Sequence, residues 1–151
     1  MKRPEGRRLR NGRASISSQI YLITTVTSKR KPIFLDLYEG RILVQSIYDV
    51  SLDAQTLCYV VMPDHFHWLV QLGEGHAISR VVQRVKACSG FNIKQKLSMK
   101  EKLWQAGYHD HAIRKDEDIK MVARYVIANP LRAGLVNKIE DYPLWDACWL
   151  E

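Results

Sequence analysis

The sequence has few cysteines and no long apolar run. Its three cysteines, Cys58, Cys88 and Cys148, are widely spaced and form no C-x-x-C pair. This argues against a disulfide framework or a cysteine zinc site and favours a reducing, cytoplasmic setting. No apolar stretch approaches the roughly 18 residues that cross a membrane, and charge rather than an apolar region follows the N-terminus. We therefore expect one domain, residues 18–151, with no membrane partner.

Acidic residues are nearly absent from two segments, so the net charge of +7 is unevenly distributed. Residues 1–13 contain one acid, and residues 75–100 contain none. The basic side chains of these segments are Lys2, Arg3, Arg7, Arg8, Arg10 and Arg13, then Arg80, Arg84, Lys86, Lys94, Lys96 and Lys100. A basic N-terminal arm, residues 1–17, and a basic helix indicate a polyanion as partner. A solvated surface without a partner is the alternative.

The order of apolar patterns predicts the elements β-α-β-β-α-β-α. Strands are expected at residues 19–28, 56–62, 66–72 and 103–114, and helices at residues 35–52 and 78–97. A last helix begins near Asp116 and ends before Pro130. The first six elements match the ferredoxin-like βαββαβ plan, an α+β fold in which helices cover one face of an antiparallel sheet. The last helix would then cover the opposite face.

Two histidines separated by one residue, His65 and His67, begin the third predicted strand. Residues two apart in a strand face the same side, so both imidazoles point together, away from the face covered by the two helices. Converging imidazoles are a starting point for a metal site. Histidines on a strand also serve simply as hydrogen-bonding groups, and a second pair, His109 and His111, lies on the last predicted strand.

Tyr125 and Asn129 lie one turn apart on the last predicted helix and therefore face the same side. Tyr125 falls on the flank of the apolar stripe of the helix. These side chains suit a nucleophile and a third metal ligand. Alternatively, Tyr125 is a rim aromatic with its hydroxyl in water and Asn129 is a helix cap. The pattern alone leaves both interpretations open.

Four sequence blocks resemble the REP-associated tyrosine transposases, a branch of the single-tyrosine HUH transposases (transposase IS200-like). They are residues 8–15 followed by 21–27, residues 61–68 (VMPDHFHW), residues 104–114 (WQAGYHDHAIR) and residues 125–136 (YVIANPLRAGLV). The resemblance runs nearly end to end and keeps the blocks in order. It implies an HUH endonuclease-like fold with an additional C-terminal helix that carries the nucleophile.

The resemblance also implies a function and a role for each site residue. The protein would be a DNA transposase and single-stranded DNA endonuclease that cleaves and rejoins REP-like hairpin DNA. His65, His67 and Asn129 would bind Mg²⁺ or Mn²⁺, while Tyr125 would attack a phosphodiester and form a 5′-phosphotyrosine. The DNA would be held by Arg7, Arg8, Arg10, Arg13, Arg80, Arg84, Lys86 and His111.

Two other functions remain open. One is a hairpin-binding protein that has lost catalysis. The other is a metal-dependent hydrolase that uses all four histidines of the two pairs with water as nucleophile. Two imidazoles favour zinc on softness alone, so the choice of metal depends on the rest of the site. The protein would act as a monomer in cis or as a homodimer with the tyrosine supplied in trans, and the short connection at residues 115–118 favours cis.

Overall fold

The protein forms a five-stranded antiparallel sheet in the order β4-β1-β3-β2-β5, seen in a computed structural model that describes residues 18–149. The strands are β1 (Ile20–Val26), β2 (Ala54–Met62), β3 (His65–Leu72), β4 (His109–Ala112) and β5 (Trp145–Ala147). The helices are α1 (Leu37–Asp49), α2 (Ile78–Leu97), α3 (Ile119–Ile127) and the single turn α4 (Asn129–Arg132). The predicted α+β class is confirmed. None of the helices in the described part of the chain is long and apolar enough to cross a membrane.

Alternation along β3 separates two apolar layers, one on each face of the sheet. Phe66 and Trp68 are buried in the layer that α1 and α2 cover. Leu69 points the other way and packs with Ala123 and Val126 of α3. His65 and His67 lie an even number of residues before Leu69 on β3, so their side chains lie on the same face as Leu69, the face that α3 covers, as predicted.

The strand predicted over residues 103–114 is wrong in its first half. Only His109–Ala112 pairs with β1 along a continuous ladder. Leu103 and Trp104, whose apolar character had indicated a strand, are instead buried in the core beside α2. Gly107, at φ 77°, then interrupts the extended backbone. Apolar side chains in this segment fill the core without joining the ladder.

Two short elements were not predicted. Strand β5 has three residues and pairs with β2, and so short a segment shows no clear alternation. Helix α4 begins at Asn129 and carries Pro130 in its first turn, where proline is tolerated because the missing N–H needs no partner. Helix α3 ends before Pro130, as expected, but it ends at Ile127, so Asn129 belongs to the separate turn α4 and not to the helix that carries Tyr125.

Candidate active site on the α3 face of the sheet

The imidazoles of His65 and His67 lie side by side on the α3 face. Their ring centroids are 4.9 Å apart and the ring planes make an angle of 81°. His65 Nδ1 lies 2.7 Å from an Asp64 carboxylate oxygen, and His67 Nδ1 lies 2.8 Å from Thr24 Oγ1. A neutral imidazole that donates from Nδ1 presents a lone pair on Nε2. In the tautomer that donates from Nδ1 in both contacts, each ring offers Nε2 as a metal ligand, in an orientation fixed by an outer partner.

Asp64 and Thr24 orient the two imidazoles, and neither was predicted as a site residue from the sequence. Asp64 lies in the two-residue turn that joins β2 to β3, because Met62 pairs directly with His65. Its backbone carbonyl accepts a hydrogen bond from the Thr27 amide at 2.9 Å, which anchors the turn to the end of β1. An acid directly before the first histidine is the signal that could have identified Asp64. The role of Thr24 depends on strand pairing and leaves no local signal.

The protonation states of these groups also suit a cation. Burial is the main cause that lowers the pKa of His67 to about 4, and electrostatic interactions with His65 and Arg132 add to it, so this imidazole is neutral at neutral pH. Partial burial alone would raise the pKa of Asp64. Hydrogen bonds from His65 and Arg30 outweigh that effect and hold the pKa of Asp64 below its usual range. A charged Asp64 can only accept a hydrogen bond, so it receives one from Nδ1 of His65.

Tyr125 lies on the exposed flank of α3, with 67% of its surface accessible. The guanidinium carbon of Arg132, in α4, lies 3.8 Å from the centroid of the Tyr125 ring. The charge of Arg132 also lowers the pKa of His67, so this arginine acts electrostatically on the histidine pair as well. Asn129 is half-buried, and its Nδ2 donates to the Val126 carbonyl at 2.7 Å. That bond fixes the amide and leaves its oxygen as the end suited to a cation.

The second histidine pair lies on the same sheet face, on the edge strand β4. The register places His109 beside Thr24, which in turn pairs with His67. His111 is half exposed, and its Nε2 lies 3.1 Å from a carboxylate oxygen of Glu117. Across residues 18–149, no three His, Cys, Asp or Glu side chains come together as a metal site. The four histidines therefore do not form a single centre there.

The predicted DNA contacts remain predictions. The four arm arginines, Arg7, Arg8, Arg10 and Arg13, lie outside the described residues. On α2, Arg80 is exposed, whereas Arg84 forms an ion pair with Asp53. Lys86 Nζ donates to backbone carbonyls of the segment between α2 and β4. The ion pair reduces the positive charge that Arg84 offers to a polyanion.

Comparison with known proteins defines the class of this fold and site. The family model described as "Transposase IS200 like" matches residues 15–129, and the chain belongs to that family. Within it, the chain is similar to REP-associated tyrosine transposases, which confirms the resemblance seen in the sequence blocks. A Haemophilus influenzae protein assigned this name is 28% identical over 137 residues, which span 82% of this chain and 77% of that protein.

Two further proteins extend this similarity. The Escherichia coli K12 REP-associated tyrosine transposase is 31% identical over 91 residues, which span 56% of this chain and 49% of that protein. The solved structure of a REP-associated tyrosine transposase bound to a REP hairpin has a TM-score of 0.71 and is 24% identical. The superposition covers 87% of this chain and 78% of the other chain, so the two proteins share a fold.

Proposed function

We propose that this transposase cleaves and rejoins single-stranded or hairpin DNA through a covalent 5′-phosphotyrosine on Tyr125. The arrangement of His65 and His67 carries the proposal, because both imidazoles are held with Nε2 available on the face that α3 covers. Tyr125 lies on that same helix. Since a relative of the same family is bound to a REP hairpin, hairpin DNA of that type is the substrate we propose.

The residues present fit a divalent cation, Mg²⁺ or Mn²⁺. His65 and His67 would supply two neutral nitrogen ligands, and Asn129 would supply an amide oxygen. Imidazoles alone favour a softer metal, whereas the amide oxygen and a substrate phosphate favour Mg²⁺ or Mn²⁺. When bound, such a cation withdraws charge from the scissile phosphate and aligns it for in-line attack.

The proposed reaction uses the phenol oxygen of Tyr125 as nucleophile. This oxygen forms a bond to the phosphorus of the scissile phosphodiester, and the bond from phosphorus to the 3′ oxygen breaks. The phenol proton passes to solvent, and the 3′ oxygen takes a proton from water and leaves as a hydroxyl. The phosphotyrosine conserves the phosphodiester energy. A 3′-hydroxyl can therefore attack it, rejoin the DNA and restore Tyr125 without a high-energy cofactor.

We also propose that the protein works in cis, in the cytoplasm. Helix α3 packs on the sheet of its own chain, on the face with the histidine pair, and this supports a site built from a single protomer. A monomer is then sufficient, although a homodimer that keeps each site intact is compatible with the same chemistry. The three cysteines are free, which supports a reducing compartment.

The role of the histidine pair is tested by cleavage of hairpin DNA in the presence of Mg²⁺ or Mn²⁺. Replacing His65 or His67 by alanine should slow cleavage by more than about a hundredfold, because loss of a ligand costs more than loss of an outer partner. Chelation of the cation should slow cleavage by the parent protein to a similar extent. Binding of the hairpin should change little.

The matched control is His76→Ala. His76 precedes α2 and pairs with Asp53 at 3.4 Å, so its loss should leave cleavage unchanged. Normal cleavage by His65→Ala and His67→Ala, together with loss in His109→Ala or His111→Ala, would show that the second pair is the functional one. A parent that binds the hairpin tightly but never cleaves it would support the alternative of a binding protein without catalysis.

A further inference from the structure

A groove lies on the other side of the sheet from the histidine pair. Helix α2 and residues 99–108 enclose a volume of about 830 Å³. The α2 side chains that line it recur every three or four residues from Ser79 to Gln95, so one face of the helix forms a wall about 24 Å long. The opposite wall is held in place by Lys86, whose Nζ donates to the Gln105 carbonyl at 2.8 Å and the Gly107 carbonyl at 2.6 Å.

The groove carries positive charge. Lys86, Lys94 and Lys102 line it, and none of the described residues that line it is acidic. Burial lowers the pKa of Lys86, and repulsion from Lys102 lowers it further. By contrast, Lys96 on the same helix forms an ion pair with Glu39 at 3.0 Å. The groove lysines therefore form a concentrated site for anions.

An aromatic surface accompanies this charge. Phe91 lies on the groove face of α2 with 67% of its surface exposed. Met99 and the buried Trp104 contribute further apolar lining. Bases of single-stranded nucleic acids stack on exposed aromatic rings, while nearby lysines bind the phosphates. The combination of lysines and an exposed ring matches the two chemical parts of a nucleotide.

We propose that this groove binds unpaired nucleotides of the DNA substrate, with phosphates on Lys94 and Lys102 and a base on Phe91. The proposal rests on the proposed function and adds a second DNA-binding surface to it. Residues 99–108 lead directly into the edge strand β4, where His109 already faces the α3 side. A strand that leaves the groove can therefore pass around this edge toward Tyr125.

Binding is measured with the Tyr125→Phe protein, so that cleavage does not disturb the equilibrium. The probes are a hairpin with an unpaired flank of about four nucleotides and the same hairpin without the flank. In Lys94→Gln/Lys102→Gln, affinity for the flanked hairpin should fall about tenfold, and the slope of log affinity against log salt should flatten by about 1.4. In Phe91→Ala, affinity for the flanked hairpin should also fall about tenfold. When 2-aminopurine replaces a base of the flank, its fluorescence should be quenched less by this variant than by the parent, because the stacking ring is missing. The blunt hairpin should bind equally well to all of these proteins.

Two matched controls lie away from the groove. Lys138→Gln removes an exposed lysine, and Leu52→Ala removes an apolar side chain that is 96% exposed. Both should bind the two probes like the parent. Phe91→Leu keeps apolar bulk without the ring, so it separates stacking from any loss of stability. Each melting temperature is recorded alongside the binding data.

Two outcomes would overturn the groove proposal. One is equal weakening of the flanked and blunt hairpins, and the other is groove variants that behave like the controls. If in either case the parent protein, which retains Tyr125, still forms a covalent adduct with DNA, the proposed function stands and only the groove assignment fails. A parent that binds neither hairpin and forms no adduct overturns both proposals.

Discussion

At the scale of single residues, Arg132 interacts with both parts of the candidate site. Its guanidinium stacks on the Tyr125 ring, and its charge contributes to the low pKa of His67. Because Tyr125 is largely exposed, few other contacts restrict the orientation of its ring. A planar guanidinium is well suited to this task, since it stacks on an aromatic face and keeps donors available for a phosphate. We therefore assign Arg132 a positioning role in the proposed reaction.

Replacing Arg132 by lysine keeps the charge but loses the planar stack. We expect the single-turnover cleavage rate to fall about threefold, because a cation stacked on an exposed ring is worth roughly 0.5–1 kcal/mol. In Arg132→Gln, which removes the charge as well, the cleavage rate should fall further. Hairpin affinity should change much less than the cleavage rate. A purely structural role would lower both quantities, so the difference between them identifies a positioning role.

The control for Arg132 is Arg124→Gln, an exposed basic residue in the last turn of α3. It should cleave like the parent. A rate in Arg132→Lys equal to that of the parent, or a loss fully accounted for by a lower melting temperature, would rule out the positioning role.

At the scale of secondary structure, the start of α3 depends on one carboxylate. Asp118 accepts hydrogen bonds from the Lys120 amide at 3.0 Å and the Met121 amide at 3.2 Å. These donors have no partner within the helix, so the cap satisfies two of them. The helix has only nine residues and carries Tyr125, which makes its first turn important for the site.

Asp118→Ala should lower the free energy of unfolding by about 1 kcal/mol, the usual cost of losing such a cap. Asp116→Ala is the matched control. Asp116 forms an exposed ion pair with Arg114 at 3.4 Å, and a pair of this kind contributes less than about 1 kcal/mol. Denaturant unfolding of the two variants decides between them. A larger loss in Asp116→Ala would contradict the assignment of the cap to Asp118.

Secondary structure was predictable where the apolar pattern is long and regular. Helix α2 begins and ends at the residues predicted from the sequence. That His65 and His67 lie on the same face of the sheet follows from strand alternation alone. The segment before β4 was not predictable, because Trp104 is buried by contacts with residues distant in sequence, including Phe66 and Ser89. An apolar pattern does not distinguish such a core segment from a strand.

In the candidate site, too, features of the local sequence were predictable and contacts between distant residues were not. The residue types and spacing of the histidine pair, Tyr125 and Asn129 are visible in the sequence. The hydrogen bond between Thr24 and His67 joins residues 43 positions apart and depends on the register of β1 and β3. The stack of Arg132 on Tyr125 depends on the unpredicted turn α4. The groups that orient the candidate site residues were therefore harder to find than those residues themselves.

At the scale of the whole molecule, charge should govern the affinity for DNA. The net charge of +7 is concentrated in residues 1–13 and in the acid-free stretch 75–100. Phosphate contacts release counterions, so we expect affinity for hairpin DNA to fall log-linearly with salt. Deleting residues 1–13 should flatten that slope by at least about 2 and weaken binding.

A protein in which the six basic residues of the arm are replaced by glutamine keeps its length and is the matched control for the deletion. It should behave like the deletion, and both should keep the melting temperature of the parent. Affinity that is indifferent to salt, or an unchanged slope in both proteins, would show that the arm does not contact DNA.

The central claim is that Tyr125 attacks the DNA backbone, and mapping a covalent adduct tests it most directly. The protein is incubated with cleavable hairpin DNA, digested, and searched by mass spectrometry for peptides that carry a nucleotide. We predict a 5′-phosphate on the peptide with Tyr125 and a free 3′-hydroxyl on the released strand. The adduct should be absent in Tyr125→Phe and present in Tyr38→Phe, whose tyrosine is equally exposed at 67% but lies on α1. An adduct on Tyr108, or cleavage that yields two free ends without any adduct, would contradict the claim.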